Sequence, residues 1–202
     1  MDTDISRLRR FVLKATELTD AHGQLDTPAP GLFDAFQELV SHDDWLPDSC
    51  TVPHPEFYQQ YLLHCDPRER FSIVSFVWGP GQQTPVHDHT VWGCVGMLRG
   101  AEMSQRYARS ADGRYAPDGE AVRLAPGQIE VLSPQEGDIH RVWNALEDRT
   151  SISIHLYGGN IGAVARSVFD PDSGLAKRFV SGYSSQVVPN LWDRSAEIRA
   201  QG

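Results

Sequence analysis

From Phe71 onward the chain is cut into short stretches rich in β-branched and aromatic residues, and the cuts fall at regular intervals. Phe71-Ser72-Ile73-Val74-Ser75-Phe76-Val77-Trp78 ends at Gly79-Pro80, and further runs near 84–98, 101–109, 120–125, 128–133, 139–145 and 150–157 are each bounded by Gly, Pro, Asp or Asn. Many short strands separated by turn formers pack as a sandwich or barrel of antiparallel strands, so the expected fold class is mainly β. No apolar run approaches the roughly 20 residues a membrane helix needs. The opening Met1-Asp2-Thr3-Asp4-Ile5-Ser6 lacks the basic start and apolar core of a signal peptide. A soluble, cytoplasmic protein without a membrane partner is the expectation, folded as one domain over residues 1–202 with the barrel core at about 70–160.

The first 45 or so residues read differently. Ile5, Leu8, Phe11, Val12, Ala15 and Leu18 recur at three- and four-residue spacing, with Arg9, Arg10, Lys14 and Glu17 around the rest of the wheel, which predicts an amphipathic helix from Asp4 to about Leu18. After the break at His22 to Pro30, Gly31 to Val40 predicts a second. Both are expected to pack on the barrel. Residues 56–64 are compatible with a short helix or a strand, because periodicity does not decide between them. The tail, with its final Val187-Val188-Pro189-Asn190-Leu191-Trp192, is expected to close one mouth of the barrel.

Chemistry concentrates at His87-Asp88-His89. On a strand, residues two apart project to the same face, so His87 and His89 can share a metal ion. His140 follows the turn at Gly137-Asp138 and supplies a third imidazole from a remote strand, which is how a small barrel builds a three-coordinate cap with open positions. Three neutral imidazoles suit Zn, Fe, Cu or Ni. His22, His42, His54 and His64 stand in polar or loop contexts and read as surface residues. The strict alternation of Ser151-Ile152-Ser153-Ile154-His155-Leu156-Tyr157 puts Ser153, His155 and Tyr157 on one face. Alternation alone would send that face to solvent. A barrel lined by imidazoles would instead turn it inward, where the three could relay a hydrogen bond to a phenol beside the metal. The segment lacks the nucleophile elbow that a Ser-His-acid triad would need.

A net charge of −9 argues against nucleic acid as the main partner, because phosphate binding needs a basic face. Cys50, Cys65 and Cys94 have no CxxC spacing and read as reduced thiols rather than a disulfide framework or zinc ribbon.

The spacings carry a resemblance. Gly81 with five residues before His87-x-His89, then Gly93 and Gly100, resembles the first cupin motif, with Gly93 where most cupins have a ligand glutamate. Pro134-x-x-Gly137-x-x-His140-x-x-x-Asn144 resembles the second. Together with His87-Asp88-His89-Thr90, His140-Arg141-Val142 and Ser153-x-His155-x-Tyr157, the stretch from about 55 to 160 is similar to the thiol dioxygenases of the cysteine dioxygenase type. That resemblance implies a cupin barrel preceded by helices and a mononuclear non-haem iron(II) held by His87, His89 and His140. It implies a small thiol and O₂ as partners, both oxygen atoms ending on sulfur as a sulfinic acid. Tyr157, held by His155 and Ser153, would sit over the oxygen site.

Two departures bear on the substrate. Gln60 stands two residues after Tyr58, where the mammalian-type cysteine enzymes carry an arginine, and a glutamine cannot make a charged bidentate clamp. Arg166 stands nine residues after Tyr157, as in the bacterial 3-mercaptopropionate dioxygenases. The resemblance therefore implies Arg166 as carboxylate partner and Gln60 as neutral contact, favouring 3-mercaptopropionate over L-cysteine. Against this stands a surface arginine beside Asp170. Cys94 lies about one residue from the place of the mammalian-type cysteine crosslink, which turns it to the opposite face, so no crosslink to Tyr157 is expected. The competing readings are another metal-dependent cupin dioxygenase or isomerase, and a metal-binding cupin without turnover.

Overall fold

The computed structural model of the chain describes residues 4–23, 26–185 and 195–201. Two helices come first, α1 (Ser6–His22) and α2 (Leu32–Val40). Twelve strands follow among the described residues: β1 (Gln59–Cys65), β2 (Ser72–Trp78), β3 (Val86–His87), β4 (Gly93–Arg99), β5 (Glu102–Arg109), β6 (Tyr115–Pro117), β7 (Val122–Leu124), β8 (Ile129–Leu132), β9 (His140–Asn144), β10 (Ser151–Tyr157), β11 (Arg166–Phe169) and β12 (Ala176–Phe179), with a last helix, α3 (Ser195–Ala200). The ambiguous stretch 56–64 resolves as β1, which pairs antiparallel with β2. Paired strands run on both sides of the 70–160 stretch expected to hold the barrel, because β1, β11 and β12 join its sheets. No described helix is long and apolar enough to cross a membrane.

The strands form two antiparallel sheets, one in the order β1-β2-β10-β4-β8, the other β12-β11-β3-β9-β5-β6 with β7 also on β5. This is the cupin barrel with N-terminal helices. Strand β10 lies between β2 and β4, and all seven of its residues are buried. Its outward residues Ile152, Ile154 and Leu156 join Leu8, Phe11, Phe36 and Leu39 of the helices in one apolar cluster. Its inward Tyr157 belongs to a second cluster, with Val74, Phe76, Trp78, Val95, Leu132 and Val142. The solvent-facing alternative for the polar face of β10 fails for a simple reason: the helices cover the other face, so neither face meets water.

Helix α1 packs through Leu8, Phe11, Ala15 and Thr19, and α2 through Leu32, Phe36, Leu39 and Val40, the spacing of one helical face. Phe11 and Phe36 rings meet at 5.8 Å. Helix α2 comes so close to β4 that a Cβ at Gly96 would lie 2.6 Å from Val40 Cγ1 and 3.1 Å from Phe36 Cε1. Cys94 and Leu98, of the same parity, face the helices too. His54 and His64 are half-buried rather than surface residues; the His54 ring stacks on Phe57 at 3.7 Å.

Gly96→Ala should lower unfolding stability by about 1–3 kcal/mol, the usual range for overpacking a filled core. Because the closest obstruction is the Val40 side chain, Val40→Ala should offset part of that loss, and a double-mutant cycle in urea denaturation should show favourable coupling between the two substitutions.

Candidate metal centre

Neighbouring strands of one sheet bring three histidines from two segments to one point inside the barrel. His87 ends β3 and pairs directly with His140, the first residue of β9. His89 is not on a strand, contrary to the simple alternation argument; it lies in the loop after β3. The Asp138 carboxylate holds it there, with Oδ2 accepting from His89 N–H at 2.7 Å and from Thr90 N–H at 3.3 Å. The three ring centroids are 4.8, 4.9 and 4.9 Å apart, nearly an equilateral triangle. One nitrogen from each ring lies within 4.8 Å of the other two, and no carboxylate belongs to the group.

Each ring is turned by what stands behind it. His87 Nδ1 is 3.1 Å from the Pro85 carbonyl, which only accepts, so Nδ1 carries the proton and Nε2 keeps its lone pair. His140 Nδ1 is 3.1 Å from Ser104 Oγ, whose own proton goes to Glu130 Oε1 at 3.0 Å. With that proton committed, Ser104 must accept from His140, which fixes the same tautomer. His89 Nδ1 lies 3.4 Å from Asp138 Oδ2. Burial pushes His87 down to about 4 and His89 and His140 well below the ordinary histidine range, so all three are neutral. Three neutral imidazoles with outward Nδ1 atoms are a donor set that fits a transition-metal ion. Sequence reading missed Ser104, Glu130 and Asp138.

Above the histidines is a cavity of about 240 Å³. Tyr157 is buried in its wall, its ring 5.7 Å from that of His89. Ser153, His155 and Tyr157 form a chain: Trp78 Nε1–H donates to Ser153 Oγ (3.1 Å), Ser153 Oγ meets His155 Nε2 (2.9 Å), and His155 Nδ1 meets the Tyr157 hydroxyl (2.8 Å). Burial pushes the Tyr157 phenol up and lowers His155 to about 3. A Cβ at Gly93 would lie 3.0 Å from Tyr157 Cδ1. Cys94 pairs with Leu156 while Gly93 pairs with Tyr157, so the thiol is on the helix side of the sheet, away from the phenol.

Arg166 and Gln60 line the same cavity, with Tyr58, Lys177, Phe179 and Ser181. The surface alternative for Arg166 does not hold, since only 5% of it is exposed. Its Nη2 donates to Ser181 Oγ at 2.8 Å, its guanidinium lies over the Phe179 ring at 4.7 Å, and Nε has no partner. Burial lowers its pKa, opposed by Tyr157, Tyr58 and Asp88. No acidic side chain lines the cavity among the described residues. Residues 166–181 thus wall one side, whereas Val187 to Leu191 and Trp192, expected to close a mouth, lie outside the described residues.

Fold and site together define a cupin with a three-histidine metal site. The family model "Cysteine dioxygenase type I" matches residues 58–166, and the chain belongs to that family. Cysteine dioxygenase type 1 of Danio rerio is 27% identical over 92 residues, 44% of this chain and 45% of that protein, so the chain matches about half the length of this curated relative. Among solved structures, a conserved double-stranded β-helix protein of Klebsiella pneumoniae is 17% identical (TM-score 0.44; 55% of this chain, 85% of that one). A cupin superfamily protein of Desulfitobacterium hafniense is 13% identical (TM-score 0.42; 57% and 91%).

Ser104→Ala should leave the fold intact yet weaken metal binding by roughly 10- to 100-fold, the usual effect of removing a group that orients a ligand histidine. Competition titration with a chromogenic chelator measures it; unchanged affinity would show that Ser104 has no hold on His140.

Proposed function

We propose that this chain is an iron(II)-dependent thiol dioxygenase acting on a small carboxylated thiol, with 3-mercaptopropionate preferred over L-cysteine. Membership of the cysteine dioxygenase type I family supports the reaction class. The observation that carries the substrate is Arg166: a buried guanidinium without an ion pair among the described residues, in the cavity the three histidines line.

His87, His89 and His140 would hold the iron. An ion held only by neutral imidazoles keeps its full charge, and so would supply binding for a thiolate and activation of O₂. The chain's own residues do the rest. Arg166 meets a substrate carboxylate with a charge-assisted hydrogen bond, and its stacking on Phe179 and bond to Ser181 fix its direction. Gln60 and Tyr58 add neutral contacts on the same wall. Phe76, Trp78 and Val142 line the cavity with apolar surface and limit water beside the reacting atoms. Tyr157, buried and protonated, presents a hydroxyl whose proton His155 and Ser153 can direct.

Selectivity follows from what the cavity lacks. An α-ammonium group would face Arg166 and Lys177 with no carboxylate among the described residues of the wall to receive it. A charged group left without its hydrogen bonds costs about 1–3 kcal/mol or more. L-cysteine should therefore show a kcat/KM roughly 10- to 100-fold below that of 3-mercaptopropionate.

Oxygen uptake by the iron-loaded protein with 3-mercaptopropionate, L-cysteine and cysteamine tests the reading, with the sulfinic acid identified by mass; indifference to all three thiols would overturn it. Arg166→Ala should raise KM for the carboxylated thiols on the order of 10- to 100-fold while changing cysteamine little, and equal effects on all three would remove Arg166 from carboxylate binding. Tyr157→Phe should retain iron but slow turnover by roughly 100-fold, the lower end for loss of a positioned proton donor.

A further inference from the structure

We propose that Glu102 sets the direction of the hydrogen-bond chain that ends at Tyr157: protonated, it makes Tyr157 offer its O–H to the cavity; ionised, it makes Tyr157 offer a lone pair. This rests on the reading of Tyr157 as a cavity group. Glu102 opens β5 and is fully buried, with neither carboxyl oxygen in a formed hydrogen bond. Its carboxyl faces the Ser153 hydroxyl.

The argument is a proton count. Trp78 Nε1–H can only donate, so one lone pair of Ser153 Oγ is already taken. Ser153 has one proton, and it goes either to His155 Nε2 or to Glu102. Suppose Glu102 is protonated and donates to Ser153. Ser153 then donates to His155 Nε2, His155 Nδ1–H donates to the Tyr157 oxygen, and the Tyr157 O–H points free into the cavity. Suppose instead that Glu102 is a carboxylate. Ser153 turns its proton to Glu102, His155 carries its proton on Nε2 and gives it to Ser153, and Tyr157 donates to His155 Nδ1, leaving an oxygen lone pair toward the cavity. The two states differ by one proton. Each bond handing its proton one place along converts the first into the second, releases one proton at Tyr157, and leaves Glu102 ionised. The reverse shift restores it, so Glu102 acts as a reservoir that lends a proton and takes it back.

The surroundings suit this role. His155 is too buried to become cationic, so it must exist as one of two neutral tautomers. Burial, with the Glu130 charge adding to it and the Ser153 hydroxyl opposing it, pushes Glu102 up to about 8, within the working range of an enzyme. Glu130 on β8, in the opposite sheet, is the carboxylate facing Glu102, and Arg106 acts on Glu130. The residues opposite Glu102 on β7 and β9 are Leu124 and Asn144, which bring no charge. The Asn144 amide is committed to the carbonyls of Trp78, Gly79 and Arg149. From β10, Tyr157 feels the Glu102 charge.

The test uses metal-free protein labelled with ¹⁵N in its imidazoles, where the His155 tautomer is read directly by NMR between about pH 6 and 10. His155 should pass from the Nδ1–H to the Nε2–H form with a midpoint near 8, and Glu102→Gln should abolish the switch. Ser153→Ala should abolish it also, by cutting the chain while leaving Glu102 in place, which covers a Glu102→Gln variant that fails to fold. A single His155 tautomer across the range, or a switch that survives either substitution, overturns the proposal. In the iron-loaded enzyme, the kcat profile should lose its inflection near that pH in Glu102→Gln and keep a displaced one in Glu102→Asp. The tautomer reading needs no turnover, so its failure is separate from failure of the dioxygenase reading.

Discussion

Strand β10 has no wet face, and the site depends on that. In an ordinary antiparallel sheet one side meets solvent, and a Ser-His-Tyr alternation would lie there. Here α1 and α2 cover the outer surface through Phe11, Phe36 and Val40, close enough that Gly96 has no room for a side chain. The apolar parity of β10 is used up against the helices, and the polar parity is forced inward. Within the barrel these polar groups have no bulk water, so each must find a partner among the others. The chain from Trp78 through Ser153 and His155 to Tyr157 is the result. The helical N-terminus, though far from the cavity, thus fixes which atoms face it.

Some of this was legible in the sequence, and the division has a physical basis. Turn formers between β-rich runs announced antiparallel strands, and three- and four-residue apolar spacing announced α1 and α2, because both signals are local. The histidines stood out because ligand chemistry restricts residue type. Strand β1 was ambiguous: Tyr58 to His64 mixes apolar and polar residues without a clean period, and only pairing with β2 makes it a strand. His89 was misplaced onto a strand because the group that holds it, Asp138, comes from a segment 49 residues later. Ser104 and Glu130 were invisible for the same reason: nothing in an exposed-looking Glu-Met-Ser-Gln pattern says that one hydroxyl will orient His140. Local patterns specify elements, whereas the groups that tune a ligand are assembled across the sheet.

The cavity is electrostatically lopsided. Among the described residues Arg166 and Lys177 line it and no acid does, and any metal held by neutral imidazoles adds further positive charge. Such a space favours anions over cations. Acidic groups are present, but one step back. Asp138 sits behind the backbone of His89 and Glu130 behind Ser104 and His140. Placed there, Glu130 acts through Ser104 to strengthen and orient the His140 imidazole, and Asp138 fixes the backbone that carries His89, without either occupying a coordination position.

Gly93 shows how closely the centre is packed. Most cupins carry a ligand glutamate at this place in the motif, yet here the residue is paired with Tyr157 across β4 and β10. The first carbon of any side chain at 93 would lie 3.0 Å from Tyr157 Cδ1, 3.2 Å from Cε1 and 3.3 Å from Leu132 Cδ1. These contacts are tighter than ordinary van der Waals approach, so a side chain at 93 would need the Tyr157 ring or Leu132 to give by a few tenths of an ångström. Glycine lets the ring stand where it is. With no carboxylate offered from this position, the inner donor set stays neutral, and a hydroxyl on a buried hydrogen-bond chain comes to the edge of the three-histidine site.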